Sequence, residues 1–365
     1  MSVDLELRHV LVAFRHGDRS PILPTLGTAI NMDDAERDYW GARLATPDQI
    51  QVLDATARRA GLMKGEPAPT LAPLIGGAWP NGYLTARGVD QMIGKGRGLR
   101  ERYRAFLPSP TVDDVYVRST NVVRTIQSGQ SVLHGMFPEL YDAVKGPAFE
   151  IHLHPTCPLS LGHHMDYHHL STKLKARRHE SPIKDIDALE KEVHALVGLA
   201  DGEDVQWSFL REILVCREAH GFPFPPGMSL DVVQQSILHN AWEWHAHLSD
   251  HSFLAKAFGR GVHEAYSYLA DAVQGTSRHK LTLLSAHDDT LCGLLHAFEL
   301  HRPNVPFLVP EYGSILTFEL HRSKSTGDWF VKANFDGNDV CFGGVDDVLC
   351  PLRHIEAVVA TFPSQ

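Results

Sequence analysis

Hydrophobic and polar positions along the chain alternate between two regimes. Short apolar runs rich in β-branched and aromatic residues predict strands at HVLVAF (9–14), DDVYVRS (113–119), KLTLLSA (280–286), SILTFEL (314–320) and DWFVKANF (328–335). Between them apolar residues recur at helical spacing. In 85–106 they are Val89, Met92, Ile93, Leu99, Tyr103 and Phe106, with basic residues elsewhere, which reads as a core-packing helix with a solvated face. A second helix is expected over 125–140. From about 150 to 275 the strand signal thins, and ALEKEVHALVGLA (188–200) and LDVVQQSILHNAWEWHAHLSD (230–250) read as helices. The division that follows is an α/β core over 1–149 and 276–365, with a mainly helical cap inserted at 150–275. A smaller excursion, 24–81, is rich in Gly and Pro near its end and is expected to be an irregular loop at a site mouth.

Three of the strands run straight into reactive side chains: Arg15-His16, Arg118-Ser119-Thr120 and His287-Asp288. In open α/β sheets ligands sit beyond the carboxyl ends of the strands, so these three tips can share one site. Composition narrows what that site binds. The chain has 365 residues, 43% hydrophobic, and a formal net charge of -10, which argues against general attraction to nucleic acid or anionic lipid. An anionic substrate therefore needs a local cluster of positive charge. Five cysteines are odd in number and widely spaced, against a disulfide framework or a zinc ribbon. The first apolar run is too short for a signal segment and none approaches a membrane span. The expected compartment is cytoplasmic as the chain is written, or secreted or lysosomal if a leader has been removed.

Arg-His pairs also occur at 8–9, 178–179, 278–279 and 353–354, so the dipeptide alone carries no meaning. What sets RHGDRSP (15–21) apart is its place at a strand end with Gly17 and Arg19. Gly17 permits close backbone approach or positive φ, and Ser20-Pro21 suits a helix start, whose N–H groups and dipole favour an anion. Arginine meets phosphate oxygens bidentately. Arginines on either side also disfavour imidazolium, which keeps His16 neutral and able to attack phosphorus. Asp18 reads as a salt-bridge partner for an arginine. In VYVRSTNVVRT (115–125), Arg118 at the strand end is expected to bind phosphate, and Arg124 to make structural salt bridges in the following helix. His287 can donate to a phosphate oxygen and Asp288 can protonate the leaving alcohol, which predicts an acidic optimum. Asp289 is expected to face solvent.

RHGDRSP (15–21), YVRST (116–120) and SAHD (285–288), in that order, resemble the histidine acid phosphatases, branch 2 of the histidine phosphatase superfamily. Weaker agreement runs through LTARGVDQM (84–92) and SILTFEL, so the likeness spans nearly the whole chain. It implies a mixed central sheet flanked by helices, phosphoglycerate mutase-like, with an inserted helical cap. It implies His16 as nucleophile, Arg15, Arg19, Arg118 and His287 as phosphate ligands, Asp288 as proton donor, and no cofactor. RSTN (118–121) with Val123 is closer to the lysophosphatidic acid phosphatase branch than to the prostatic type. Ser20, where phytase relatives carry tyrosine, disfavours inositol polyphosphates.

The expected partner is a small phosphomonoester, without nucleic acid or stable membrane insertion; a homodimer stays open. A mutase-type phosphotransferase and a catalytically weak phospho-ligand-binding protein remain alternatives. His163-His164-Met165-Asp166-Tyr167-His168-His169 has metal-ligand spacing but reads as a surface or cap lining. Trp242-Glu243-Trp244-His245 reads as helix core and edge. GFPFPPGMS (221–229) is read either as a border of the mouth or as a plain cap turn.

Overall fold

The computed structural model describes residues 5–59, 77–140, 147–154, 167–300 and 309–363, with side chains at 167–171 left aside. The apolar run expected at 9–14 extends to β1 (Leu5–Arg15), whose last seven residues are buried. The other expected strands appear as β5 (Val115–Ser119), β7 (Leu281–Ala286), β8 (Ile315–Ser323) and β9 (Trp329–Phe335). Shorter strands β4 (Ala57–Arg59), β6 (Phe149–Leu153), β10 (Asn338–Val340) and β11 (Leu349–Pro351) complete one mixed sheet. Its order is β10-β9-β8-β1-β7-β5-β6-β4, with β11 also pairing β9. The run β1-β7-β5-β6-β4 is parallel, and β8 turns antiparallel against β1. β1 and β5 thus flank β7, and their carboxyl ends share one edge, with Arg15 level with Ala286 and Ser119 level with Ser285.

Helices cover both faces. On one side α3 (Ala86–Arg102) and α4 (Val123–Met136) pack over Val10, Val12, Phe14, Val115, Val117, Leu281 and Leu283. On the other, α9 (His251–Gln274), α10 (Asp288–Ala297) and α11 (Leu352–Val359) cover Leu11, Ala13, Leu284, Leu316 and Phe318. The cap is built from α5 (Tyr167–Arg177), α6 (Ile186–Val197), α7 (Trp207–His220) and α8 (Leu230–Leu248), and much of it closes on a separate cluster around Leu189, Leu210, Leu214 and Val233. No helix among the described residues is long and apolar enough to cross a membrane.

Two boundaries shift. β6 continues the sheet past 149, and α9, within the expected insertion, packs on the sheet core through Leu254, Phe258 and Val262. The excursion 24–81 is not an irregular loop where it is described. It holds a small hairpin, β2 (Thr25–Leu26) with β3 (Ile30–Asn31), then α1 (Asp34–Gly41) and α2 (Pro47–Thr56), before β4 joins the sheet edge. The helical signals were local: Asp33 accepts from the Glu36 N–H, and Thr46 with Gln49 forms a capping box ahead of Pro47. The Gly/Pro-rich part, 60–76, lies outside the described residues.

Candidate active site

His16 follows the last residue of β1. Its backbone is fixed on both sides, the N–H donating to the Ala286 carbonyl at 3.0 Å and the carbonyl accepting from the Gly313 N–H at 3.1 Å. Its Nδ1 lies 2.9 Å from the Gly17 carbonyl oxygen. A carbonyl only accepts, so Nδ1 carries the proton and Nε2 keeps the lone pair. The ring is 2% exposed. Burial, then the charges of Arg124, Arg15 and Arg19, hold the imidazole well below its ordinary pKa, so it stays neutral. The flanking arginines contribute as the sequence suggested, but burial and Arg124 rank ahead of them.

Gly17 serves close approach rather than positive φ. A Cβ there would lie 2.6 Å from the Gly88 carbonyl oxygen and 2.9 Å from Met92, because the loop presses on the first turns of α3. No helix starts at Ser20. Its N–H donates to the Tyr83 carbonyl and its hydroxyl to that of Pro80, so the expected cap group is already engaged with 80–83. Asp18 holds no arginine either: Thr85 Oγ1 donates to its Oδ2 at 2.5 Å, and His220 Nε2 of α7 sits 2.6 Å from the same oxygen.

At the β7 tip, His287 is the N-cap of α10 and its Nε2 lies 3.0 Å from Thr120 Oγ1 at the β5 tip. The His16 and His287 rings meet edge to face, centroids 5.5 Å apart. Desolvation and Arg124 pull the His287 imidazole down to about 3. Asp288 Oδ2 is 3.0 Å from Arg15 Nη2 and 3.6 Å from Arg211 Nη1. Desolvation alone would raise this carboxyl, but Arg15 and Arg211 outweigh it and hold it far below the usual carboxylate range. Arg19 is paired with Glu212 and also donates to the Ser20 carbonyl at 3.0 Å. Arg15 stacks over Tyr312, 4.2 Å from the ring centroid.

Arg118 does not join this group. Along β5, Val115, Val117 and Ser119 are the buried positions, and the alternation sends Tyr116 and Arg118 to the other face. There Arg118 Nε lies 3.1 Å from Glu264 of α9 and bonds the ring of His154. Arg124, expected to make structural salt bridges along its helix, instead takes the position expected of Arg118. The first turn of α4 carries Arg124 back over the strand tips, and it is buried, within electrostatic reach of His16, Arg19, His287 and Asp288. Burial and Arg19 pull its guanidinium down to about 9. A cluster of arginines around a neutral histidine is a receptor for a tetrahedral dianion.

The family model of the histidine phosphatase superfamily (branch 2) matches residues 6–179, which include the β1 and β5 tips and Arg124. The chain belongs to this branch of the histidine phosphatases. Lysophosphatidic acid phosphatase type 6 of Bos taurus is 28% identical over 369 residues, covering 95% of this chain and 81% of that protein. Prostatic acid phosphatase of Homo sapiens is 27% identical over 347 residues, covering 90% and 76%. In fold, this branch 2 phosphatase is similar to Hafnia alvei phytase in complex with myo-inositol hexakis sulphate, with a TM-score of 0.63 at 18% identity over 100% of this chain and 98% of that one.

Sequence reasoning missed the contribution of α7 and Tyr312. Arg211 and Glu212 reach the site from the cap, and Cys216 Sγ contacts Tyr312 Oη at 3.1 Å. In WSFLREILVCREAH nothing separates these polar residues from an ordinary helix surface. Phe222 of the 221–229 turn packs on Tyr39, centroids 4.7 Å apart, and Trp242 is buried in α8. The histidine run 163–169 lies outside the residues whose side chains are described.

Proposed function

We propose that this phosphomonoesterase works through a covalent phosphohistidine on His16. The observation that carries the reading is the Nδ1–H of His16 donating to the Gly17 carbonyl, which leaves Nε2 as the nucleophile amid the charges of Arg15, Arg19 and Arg124. In the first step Nε2 attacks phosphorus and the P–O bond to the alcohol breaks. The leaving oxygen takes the proton of the Asp288 carboxyl. Arg15, Arg19, Arg124 and His287 hold the non-bridging oxygens, where charge accumulates. In the second step Asp288, now a carboxylate, takes a proton from water as that water attacks the phosphohistidine. Phosphate leaves and neutral His16 returns.

Asp288 must carry a proton to begin, yet in the ligand-free site its arginine neighbours keep it ionised. A bound phosphate dianion offsets those charges, so the substrate itself restores the proton donor, most readily at acidic pH. The relatives named lysophosphatidic acid phosphatase support monoesters of the lysophosphatidate kind as candidate substrates, beside small phosphoesters. The test is rapid alkaline quench with a radiolabelled phosphomonoester, since phosphohistidine survives base. The parent should retain protein-bound label and turn over a chromogenic ester at acidic pH. His16→Ala should do neither, with activity down by at least about 10⁴-fold. Label on the Ala variant, or an inactive parent across pH 4 to 8, would overturn the reading.

A further inference from the structure

One carboxylate oxygen, Asp288 Oδ2, is shared by two guanidinium groups from different parts of the chain, Arg15 of β1 at 3.0 Å and Arg211 of α7 at 3.6 Å. The two are not equivalent. Arg15 has other anchors: its Nη1 donates to the Pro310 carbonyl at 2.7 Å and its plane covers Tyr312. Arg211 is 8% exposed, its buried Nε has no hydrogen-bond partner, and Asp288 is the one carboxylate within ion-pair distance among the described residues. It is also repelled by Arg15. A guanidinium held in the interior by one long, shared ion pair is a net cost to folding. Its charge bears on Asp288 as well as on Arg15.

We propose that Arg211 is a positioning residue for proton transfer: reaching down from the cap, it orients the Asp288 carboxyl and sets the pH at which that carboxyl releases its proton to the leaving alcohol. This rests on Asp288 as proton donor. The groups that bear on Asp288 are Arg15 and Arg19 from the β1 end, Arg211 from α7, and His287 and Cys292 on its own element, with Arg124 of α4 facing it as well. In the substrate complex the phosphate offsets Arg15, Arg19 and Arg124, which the proposed mechanism assigns to it. Arg211 is then the positive charge that remains on the carboxyl. A nearby cation favours the carboxylate and so lowers the pH range in which Asp288 is protonated. Because Arg211 rides on α7, the seating of the cap enters the acidity of the donor.

The test is kcat and kcat/KM against pH for an alkyl ester, glycerol 2-phosphate, whose leaving oxygen needs a proton, and an aryl ester, 4-nitrophenyl phosphate, which needs it far less. In Arg211→Met the alkaline limb of the alkyl-ester profile should move up by about one pH unit, the effect of losing one close charge. The alkyl-ester kcat should also fall further than the aryl-ester kcat. Arg211→Lys, which keeps the charge, should restore the limb toward the parent position. Asp288→Asn should lose alkyl-ester turnover selectively, and adding Arg211→Met to it should not move the limb further. Should Arg211→Met fail to fold, Arg211→Gln provides the same comparison. A limb that superimposes on the parent's, with Asp288→Asn behaving as stated, overturns the role of Arg211 alone. Equal loss of both esters in Asp288→Asn overturns the proton-donor reading beneath it.

Discussion

The two faces of the central sheet are built to different rules. Against α3 and α4 the strands present an apolar surface, from Val10, Val12 and Phe14 through Val117 to Ile151, and the close contact of Gly17 with Gly88 lies at its upper edge. On the α9 side the face is apolar beneath β1, β7, β8 and β9. Toward β5 and β6 it buries a polar group instead: Arg118 and His154 meet Glu264, to which Tyr268 also donates at 2.9 Å, while Tyr116 stacks on His152. The first face locates the loop carrying His16 by shape, and the second ties α9 to the sheet by charge. Arginines six residues apart in the sequence therefore do different work, Arg124 over the strand tips and Arg118 beneath the sheet.

Replacing each of those arginines in turn is the sharpest way to break this comparison. Arg124→Ala should lower kcat/KM by about 10² to 10³-fold, the loss of one preorganised donor on developing charge, with little change in Tm. Arg118→Ala should leave kcat/KM within about threefold and instead cost about 2 kcal/mol of unfolding free energy, the size of lost charged hydrogen bonds. Steady-state kinetics and denaturant unfolding on both variants decide the matter. The reverse pattern would mean that the two faces have been assigned the wrong way round.

The same pair marks where sequence reading stops. His16 and His287-Asp288 were legible because each directly follows an apolar run whose end is visible, and a parallel sheet must bring such ends to one edge. Arg118 also ends a strand, but the period of two in VYVRS places it on the face opposite Val115 and Val117, a test that residue spacing offers and proximity to the strand tip conceals. Arg124 is brought in by the first turn of a helix, and Arg211 and Glu212 by a cap helix from far along the chain. Their presence depends on tertiary packing that no local pattern records. The short strands β6 and β4 at that end of the sheet were hidden for a related reason: three to five residues carry too little periodicity to stand out.

A smaller effect tests the claim that shape governs the α3 face. A Cβ at Gly88 would lie 2.1 Å from the Asp18 carbonyl oxygen, whereas at Gly94 and Gly98 of the same helix it would meet nothing within 4 Å. Gly88→Ala should cost about 2 kcal/mol by overpacking and lower kcat/KM, because the loop carrying His16 must move. Gly94→Ala and Gly98→Ala should each raise stability by about 0.5 to 1 kcal/mol through helix propensity and leave kinetics alone. If all three alanines behave alike, the contact between loop and helix does not position His16.

The smallest effect belongs to the α9 side and concerns protons. His9 of β1 points away from Val10 and Val12, is 1% exposed, and its Nδ1 lies 3.1 Å from the His279 carbonyl oxygen. Burial lowers its pKa to about 4, against a value near 6.5 in the unfolded chain. Between those values the unfolded state binds a proton that the folded state refuses. The stabilisation is therefore complete above about pH 6.5, shrinks as the pH falls, and is gone below about 4. An enzyme proposed to work in acid thus loses stability on this face as it approaches its working range. Denaturant unfolding of the ligand-free protein at pH 7, 6, 5 and 4 should show the decline. His9→Gln keeps a donor for the His279 carbonyl but cannot titrate, so its curve should be shallower by up to about 1.4 kcal/mol per pH unit. Identical slopes in parent and variant would place the acid sensitivity elsewhere and remove His9 from the contrast between the faces.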